Sequence, residues 1–270
     1  MIKELLARRN LIRELVLKDL KLRYCRPALG FFWAFIMPLV TVLIFYIVFS
    51  VFLKSRTEEA PFVLYLMSAV FPWGFFYNSV ICSTTSLVDN KNLIRESKFP
   101  YYFLPVSIVL ANLINFLPSL VVLIITAALI LKGLPLLIIL LPLVLLIQIL
   151  LAIGLSVIFS VLYVKYRDLK YAIEIFLTVI FYLAPGFYSI YLVKSSLPPL
   201  LFKAYLYNPF TGILIFYRAA ILKGFYGFIE NDVGLLATGI ILVCFCGLTL
   251  WAGFLLYANS KNSINDHLSY

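Results

Sequence analysis

Six stretches of this chain are long, apolar and almost free of charge. That pattern leaves few folds open. Residues 29–53, 62–88, 103–131, 134–164 and 233–258 hold no Asp, Glu, Lys or Arg, and residues 172–193 hold only Glu174. A helix rising about 1.5 Å per residue crosses a hydrocarbon layer of roughly 30 Å in about twenty residues, so each stretch is long enough to span. The stretch 134–164 exceeds that length and must tilt, kink or extend into the interface. Composition agrees: 64% of the residues are hydrophobic and 13% charged, against about half and a quarter in soluble domains. The sequence predicts an all-α integral membrane protein of six transmembrane helices, read as one domain over 1–270.

Orientation follows from the basic residues. Residues 1–26 carry eight Lys and Arg and run straight into the first apolar span. With the N-terminus inside, fifteen of the 22 Lys and Arg fall on the cytoplasmic side and seven outside, and both termini are cytoplasmic. That bias accounts for most of the net charge of +10 and excludes nucleic acid as its explanation. The first apolar stretch follows a long charged segment and is too long for a signal-peptide core, so no cleaved signal is expected.

Within 1–26, Leu5, Ile12, Val16 and Leu20 recur at helical spacing, although Arg9 interrupts the stripe. This segment reads as an amphipathic interface helix that lies at the lipid surface, docks a cytosolic partner, or does both. Residues 194–232 form the longest outer connection, yet Ala204 to Tyr217 are uncharged and include Pro209 and Gly212. Fourteen residues are too few to span, so short helices between spans five and six are expected, re-entrant or interfacial. Asn208, Pro209 and Arg218 are its candidate gate residues, because a charge at the edge of such a segment needs a partner or water.

Motifs for chemistry are missing. No GxxxxGK[ST] loop is present to cradle ATP, and the one histidine, His267, is in the C-terminal tail. Cys25, Cys82, Cys244 and Cys246 form no CxxC pattern, so no metal site is expected. Glu174 is the one carboxylate within a span, which argues against an ion-driven carrier. If this chain transports, its energy enters from another polypeptide, and two short cytoplasmic loops are placed to receive it. Asn92, Leu93, Ile94, Arg95, Glu96, Lys98 and Pro100 form the first, where a short helix is expected to offer Leu93 and Ile94 to a partner and to end before the proline. Tyr166, Arg167 and Asp168 form the second. Both also read as ordinary charged turns.

Aromatic residues are the remaining signal. Phe31, Phe35, Phe45, Phe49 and Phe52 lie on one helical stripe of the first span together with Pro38 and Val42. Phe176, Phe181, Tyr182, Phe187, Tyr188 and Tyr191 accompany the fifth. Such stripes either pack helices together or wall a path, where aromatic faces stack on sugar rings and Tyr hydroxyls bond ring hydroxyls.

Taken in order, LIRELVLKDLKLRY (11–24), Leu29-Gly30, Trp33, Pro38, NLIRESKFP (92–100), Pro105, YRDL (166–169) and NPFTGILIFYRAAI (208–221) resemble the membrane subunit of type-two ABC exporters. The polysaccharide branch, which exports lipid-linked O antigen, capsule and teichoic acid polymers, is the most similar. The resemblance implies a homodimeric permease, not itself an enzyme, in the inner membrane, with two separate ATP-binding subunits that carry ATP and Mg. It implies a coupling role for residues 92–100 and for Arg167 and Asp168. It also implies a path between the two copies, lined by the first and fifth spans, and exit helices in 194–232. Cys25-Arg26-Pro27-Ala28 departs from the small polar residues expected there, and Pro27 sharpens the bend between arm and span. An exporter of drugs or small lipids on the same fold, and a non-transporting membrane scaffold, are the alternatives.

Overall fold

The computed structural model describes residues 8–24, 30–52, 54, 61–96, 100–223, 225 and 234–269, without the side chains of Phe31, Arg95, Glu96 and 261–269. Pro27 and Lys98 lie outside the described residues. Among the described residues every regular element is helical. The order is α1 (Arg9–Tyr24), a 3-10 turn (Gly30–Phe32) and α2 (Trp33–Phe45), which continues as a π-helix to Phe52. α3 (Phe62–Thr84) is followed by the short α4 (Ser86–Asp89) and α5 (Lys91–Glu96), then α6 (Phe103–Ile130). A 3-10 helix (Leu136–Leu140) leads into α7 (Leu141–Lys165), and α8 is Leu169–Leu183. Three short helices follow, α9 (Ile190–Ser196), α10 (Pro199–Leu206) and α11 (Pro209–Ile221), before α12 (Leu235–Ser269).

Among the described residues, five helical segments are long and apolar enough to cross a membrane: Trp33–Phe52, Phe62–Thr84, Phe103–Ile130, Leu136–Lys165 and Leu235–Ser260. The chain is a multi-pass membrane protein. The second segment is the hub: 78% of its most apolar stretch is buried inside the molecule, against 6% for the first. α3 packs on α2, α6, α7, α8 and α11, and it buries Ser68, Ser83 and Thr84 completely. A helix enclosed by other helices can bury hydroxyls because Ser and Thr bond backbone carbonyls there, as Thr84 does to Val80 at 2.8 Å. Gln148 of α7 ties the hub together. Its Nε2 donates to the Pro72 carbonyl at 2.8 Å, and its Oε1 accepts from the Tyr217 hydroxyl at 2.6 Å, joining α7, α3 and α11.

α7 and α12 make the closest helix pair. A Cβ on Gly154 would stand 2.8 Å from Thr249 Oγ1, and one on Gly253 would stand 3.1 Å from the Gly154 carbonyl. In lipid, where no hydrophobic force pushes helices together, such small residues let backbones approach and gain dispersion contact.

One expectation changes. The span predicted over 172–193 is not one helix. α8 stops at Leu183, residues 184–189 turn, and α9 begins at Ile190. Pro185 is the cause: it lacks an N–H, and it pushes the preceding residue out of the helical region, so Ala184 sits at φ −74°, ψ 153°. The final helix instead outruns its span, with α12 continuing to Ser269 while its apolar stretch ends at Ser260. The short helices of 194–221 were expected to be re-entrant or interfacial. α10 is exposed on one side, with Leu200 at 79%, and buries Phe202 and Leu206 on the other, while α11 is buried against α3, α7 and α12. The Phe210 ring at its start lies 6.2 Å from Trp73 and 5.6 Å from Phe76. Those residues are eleven and fourteen positions into α3, about 16–21 Å along its axis. The tip between α10 and α11 therefore reaches mid-span depth, a re-entrant geometry.

Candidate functional site

The Phe stripe of α2 turns into the protein over its C-terminal half. Val42 is buried, and Phe45 and Phe49 pack on Phe187 at ring separations of 4.6 and 5.5 Å. Phe181 and Tyr182 join the same group, 4.9 and 5.6 Å from Phe187. Phe35 is half-buried beside Phe32, while Phe52 and Phe176 face outward. The structure thus gathers Phe45, Phe49, Tyr182 and Phe187 and leaves Phe35, Phe52 and Phe176 apart from them. The Phe31 side chain lies outside the described residues.

Above this cluster the broken end of α8 is tied off. The Tyr188 hydroxyl donates to the Leu183 carbonyl at 2.6 Å, and the Tyr65 hydroxyl donates to the Tyr188 carbonyl at 2.9 Å. Arg218 is fully buried on α11. Its guanidinium lies 3.5 Å from the Tyr65 ring centroid, and its Nη2 donates to the Gly186 carbonyl at 3.3 Å and the Tyr65 carbonyl at 3.4 Å. A break at membrane depth leaves carbonyls that lipid cannot satisfy, and a planar multi-donor cation stacked on a ring meets that need. At the re-entrant tip, Asn208 caps α11 by accepting from the Phe210 N–H at 3.0 Å, and Pro209 occupies the first turn, where its missing N–H is harmless.

On the opposite face, α5 forms where a short loop helix was expected, but Ile94 turns inward. It is 3% exposed in a cluster with Leu87, Tyr102 and Val164. Leu93 is half-buried against the same cluster, Asn92 is exposed, and Pro100 is half-buried. The side chains of Arg95 and Glu96, like Lys98, lie outside the described residues. Tyr166, Arg167 and Asp168 form the exposed turn between α7 and α8, with Arg167 over the Tyr163 ring at 5.5 Å. Leu11, Ile12 and Leu15 of α1 pack on the Ile94 cluster, and Lys18 donates to Asn90 Oδ1 at 3.0 Å. The apolar side of α1 is therefore seated on the protein itself.

A cavity of about 590 Å³ opens among α2, α3, α6 and α8. Phe45, Tyr182, Trp33 and Trp73 contribute rings, and Asn78, Asn112, Asn115 and Ser119 contribute polar groups. Arg23 enters from the end of α1. Its Nε meets Asp19 Oδ2 at 2.8 Å and its Nη1 donates to Asn112 Oδ1 at 2.7 Å. Burial pushes the Asp19 carboxyl above its ordinary range, and Arg23 pulls it back. Asn112, Asn115 and Ser119 were missed in reading the sequence. Their signal is an i, i+3, i+7 polar stripe on one face of an otherwise apolar span.

The sequence pattern of the family described as ABC-2 type transporter matches residues 10–222. The chain is 26% identical over 268 residues to the O-antigen export system permease protein RfbA of Myxococcus xanthus, covering 99% of each. It is 29% identical over 228 residues to the O-antigen export system permease protein RfbA of Klebsiella pneumoniae, covering 83% of this chain and 85% of that one. The chain belongs to the ABC-2 type transporter family.

Proposed function

We propose that this ABC-2 type transporter chain is the permease of an exporter that moves a lipid-linked, O antigen-like polysaccharide across the inner membrane. The observation that carries the reading is the end-to-end match, 99% of both chains, to a protein named as an O-antigen export permease. The chain supplies the membrane passage, and a separate polypeptide supplies the energy. Two copies form the path between their first and fifth spans, and two ATP-binding subunits with ATP and Mg dock on α1, α5 and the turn at Arg167 and Asp168. Closing of the ATPase pair pushes these elements. α1 and α5 share one apolar cluster, so they move together and carry the inner end of α6 with them. The rings of Phe45, Tyr182 and Phe187 and the re-entrant α10–α11 hairpin stand on the outer half of the path.

Reconstitution tests this. The permease, co-purified with its ATPase and placed in vesicles loaded with lipid-linked glycan, should move glycan only with ATP and Mg. Drug or short-lipid efflux without glycan movement would sink the polysaccharide reading, and purification with no ATPase would favour a scaffold.

A further inference from the structure

The cavity beside α6 is lined by Asn112 and Asn115, and each has one buried amide atom without a protein partner. We propose that it is a binding subsite for an uncharged sugar residue, one in each copy of the chain, which reads a unit of the exported polymer. This rests on the exporter reading above. Asn112 is 4% exposed, and because Arg23 donates to its Oδ1, its Nδ2 is the atom turned elsewhere. Nδ2 is buried without a protein partner, and so is Oδ1 of Asn115, three residues on along the same face of α6. A buried donor or acceptor left unmade is costly, so the site favours a ligand that completes both.

The pair selects the chemistry. One vacant donor and one vacant acceptor, three residues apart on α6, suit hydroxyls, which give and take at once. A phosphate ester only accepts and would leave Asn115 Oδ1 unmet. An ammonium only donates and would leave Asn112 Nδ2 unmet. Charge points the same way, because the guanidinium of Arg23 is already paired with Asp19 at 2.8 Å. Trp33, Trp73 and Tyr182 supply ring faces or edges for the apolar side of a pyranose. The volume, about 590 Å³, suits a ligand of a few rings, so this is a place where a short piece of the polymer is inspected, beside the path.

The test uses the full chain in nanodiscs with Trp251→Phe, which leaves Trp33 and Trp73, the two cavity tryptophans, as reporters. Methyl glycosides of mannose, galactose, rhamnose and N-acetylglucosamine are titrated and fluorescence quenching is read. At least one should quench saturably, and glucose 1-phosphate should bind no more tightly. Asn115→Leu should weaken that binding about tenfold or more at an unchanged melting temperature. Asn112→Asp, which keeps an acceptor for Arg23 but removes the donor, should weaken it comparably. No saturable quenching by any of the four, tighter binding of the phosphate, or an Asn115→Leu variant that binds like the parent would each overturn the subsite. Export is followed in parallel. Export without sugar binding overturns the subsite alone, whereas saturable binding without export supports the subsite and overturns the exporter reading.

Discussion

Arg218 ties two distant parts of the chain together through one side chain. It is fully buried, stacked on Tyr65, and bonded to the carbonyl at the break in α8. Arg218→Ala removes a desolvated cation–π contact and two charge-assisted bonds, an expected loss of about 2–4 kcal/mol. Arg218→Lys should recover less than half of it, because an ammonium cannot stack as a plane while forking to two carbonyls. Thermal midpoints in detergent check both, and an alanine variant as stable as the parent would remove Arg218 from the account of the break. Gly154 is the opposite case, a position defined by having no side chain. Gly154→Ala places a Cβ 2.8 Å from Thr249 Oγ1 and 3.0 Å from the Leu250 nitrogen, so α7 and α12 must separate. The expected cost is about 1–3 kcal/mol, read from the same melting curves. The role of Arg218 was only half legible. The sequence marks Arg218 as a charge that needs company, but its partners come from α3 and from the turn after α8, 153 and 32 residues away.

At the scale of the element, the short α8 and its turn decide the outer geometry. Pro185→Ala with Gly186→Ala removes the residues that end the helix, and α8 should then continue past Leu183. Hydrogen exchange at residues 184–187 should slow, and export should fall as Gly186 leaves the Arg218 contact. Exchange unchanged from the parent would show that tertiary contacts, not Pro185, hold the break open. At the inner face, Arg95→Ala with Glu96→Ala should lower ATP-driven export without changing the melting temperature, because the seat of α5 is Ile94, 3% exposed. Unchanged export would take α5 out of the coupling. The uncharged runs announced α3, α6 and α7 almost to their ends, because each spans and each lacks charge. Span five was overread because Ala184-Pro185-Gly186 is as uncharged as its neighbours, and hydropathy cannot see a missing N–H.

At the scale of the whole molecule, orientation is the property on which the exporter reading depends. In a chain freed of its native cysteines, Lys3→Cys should react with an impermeant maleimide only in inverted vesicles, and Arg56→Cys only in intact cells. The reverse pattern would put α5 and the Arg167 turn on the wrong side for any cytosolic ATPase. The sequence by itself determined that the chain is helical, that it crosses a membrane several times and which family it resembles. Burial in lipid forces those answers locally: every backbone group must be bonded within its own helix, and every charge inside a span is expensive. Only the tertiary structure decided which helix is the hub, that α11 sinks to mid-span depth, and that Asn112 and Asn115 face a cavity beside Arg23. The physical reason is that lipid and protein interior are equally apolar. A uniformly apolar helix therefore carries no mark of which face meets lipid and which meets its neighbours, and only packing assigns it.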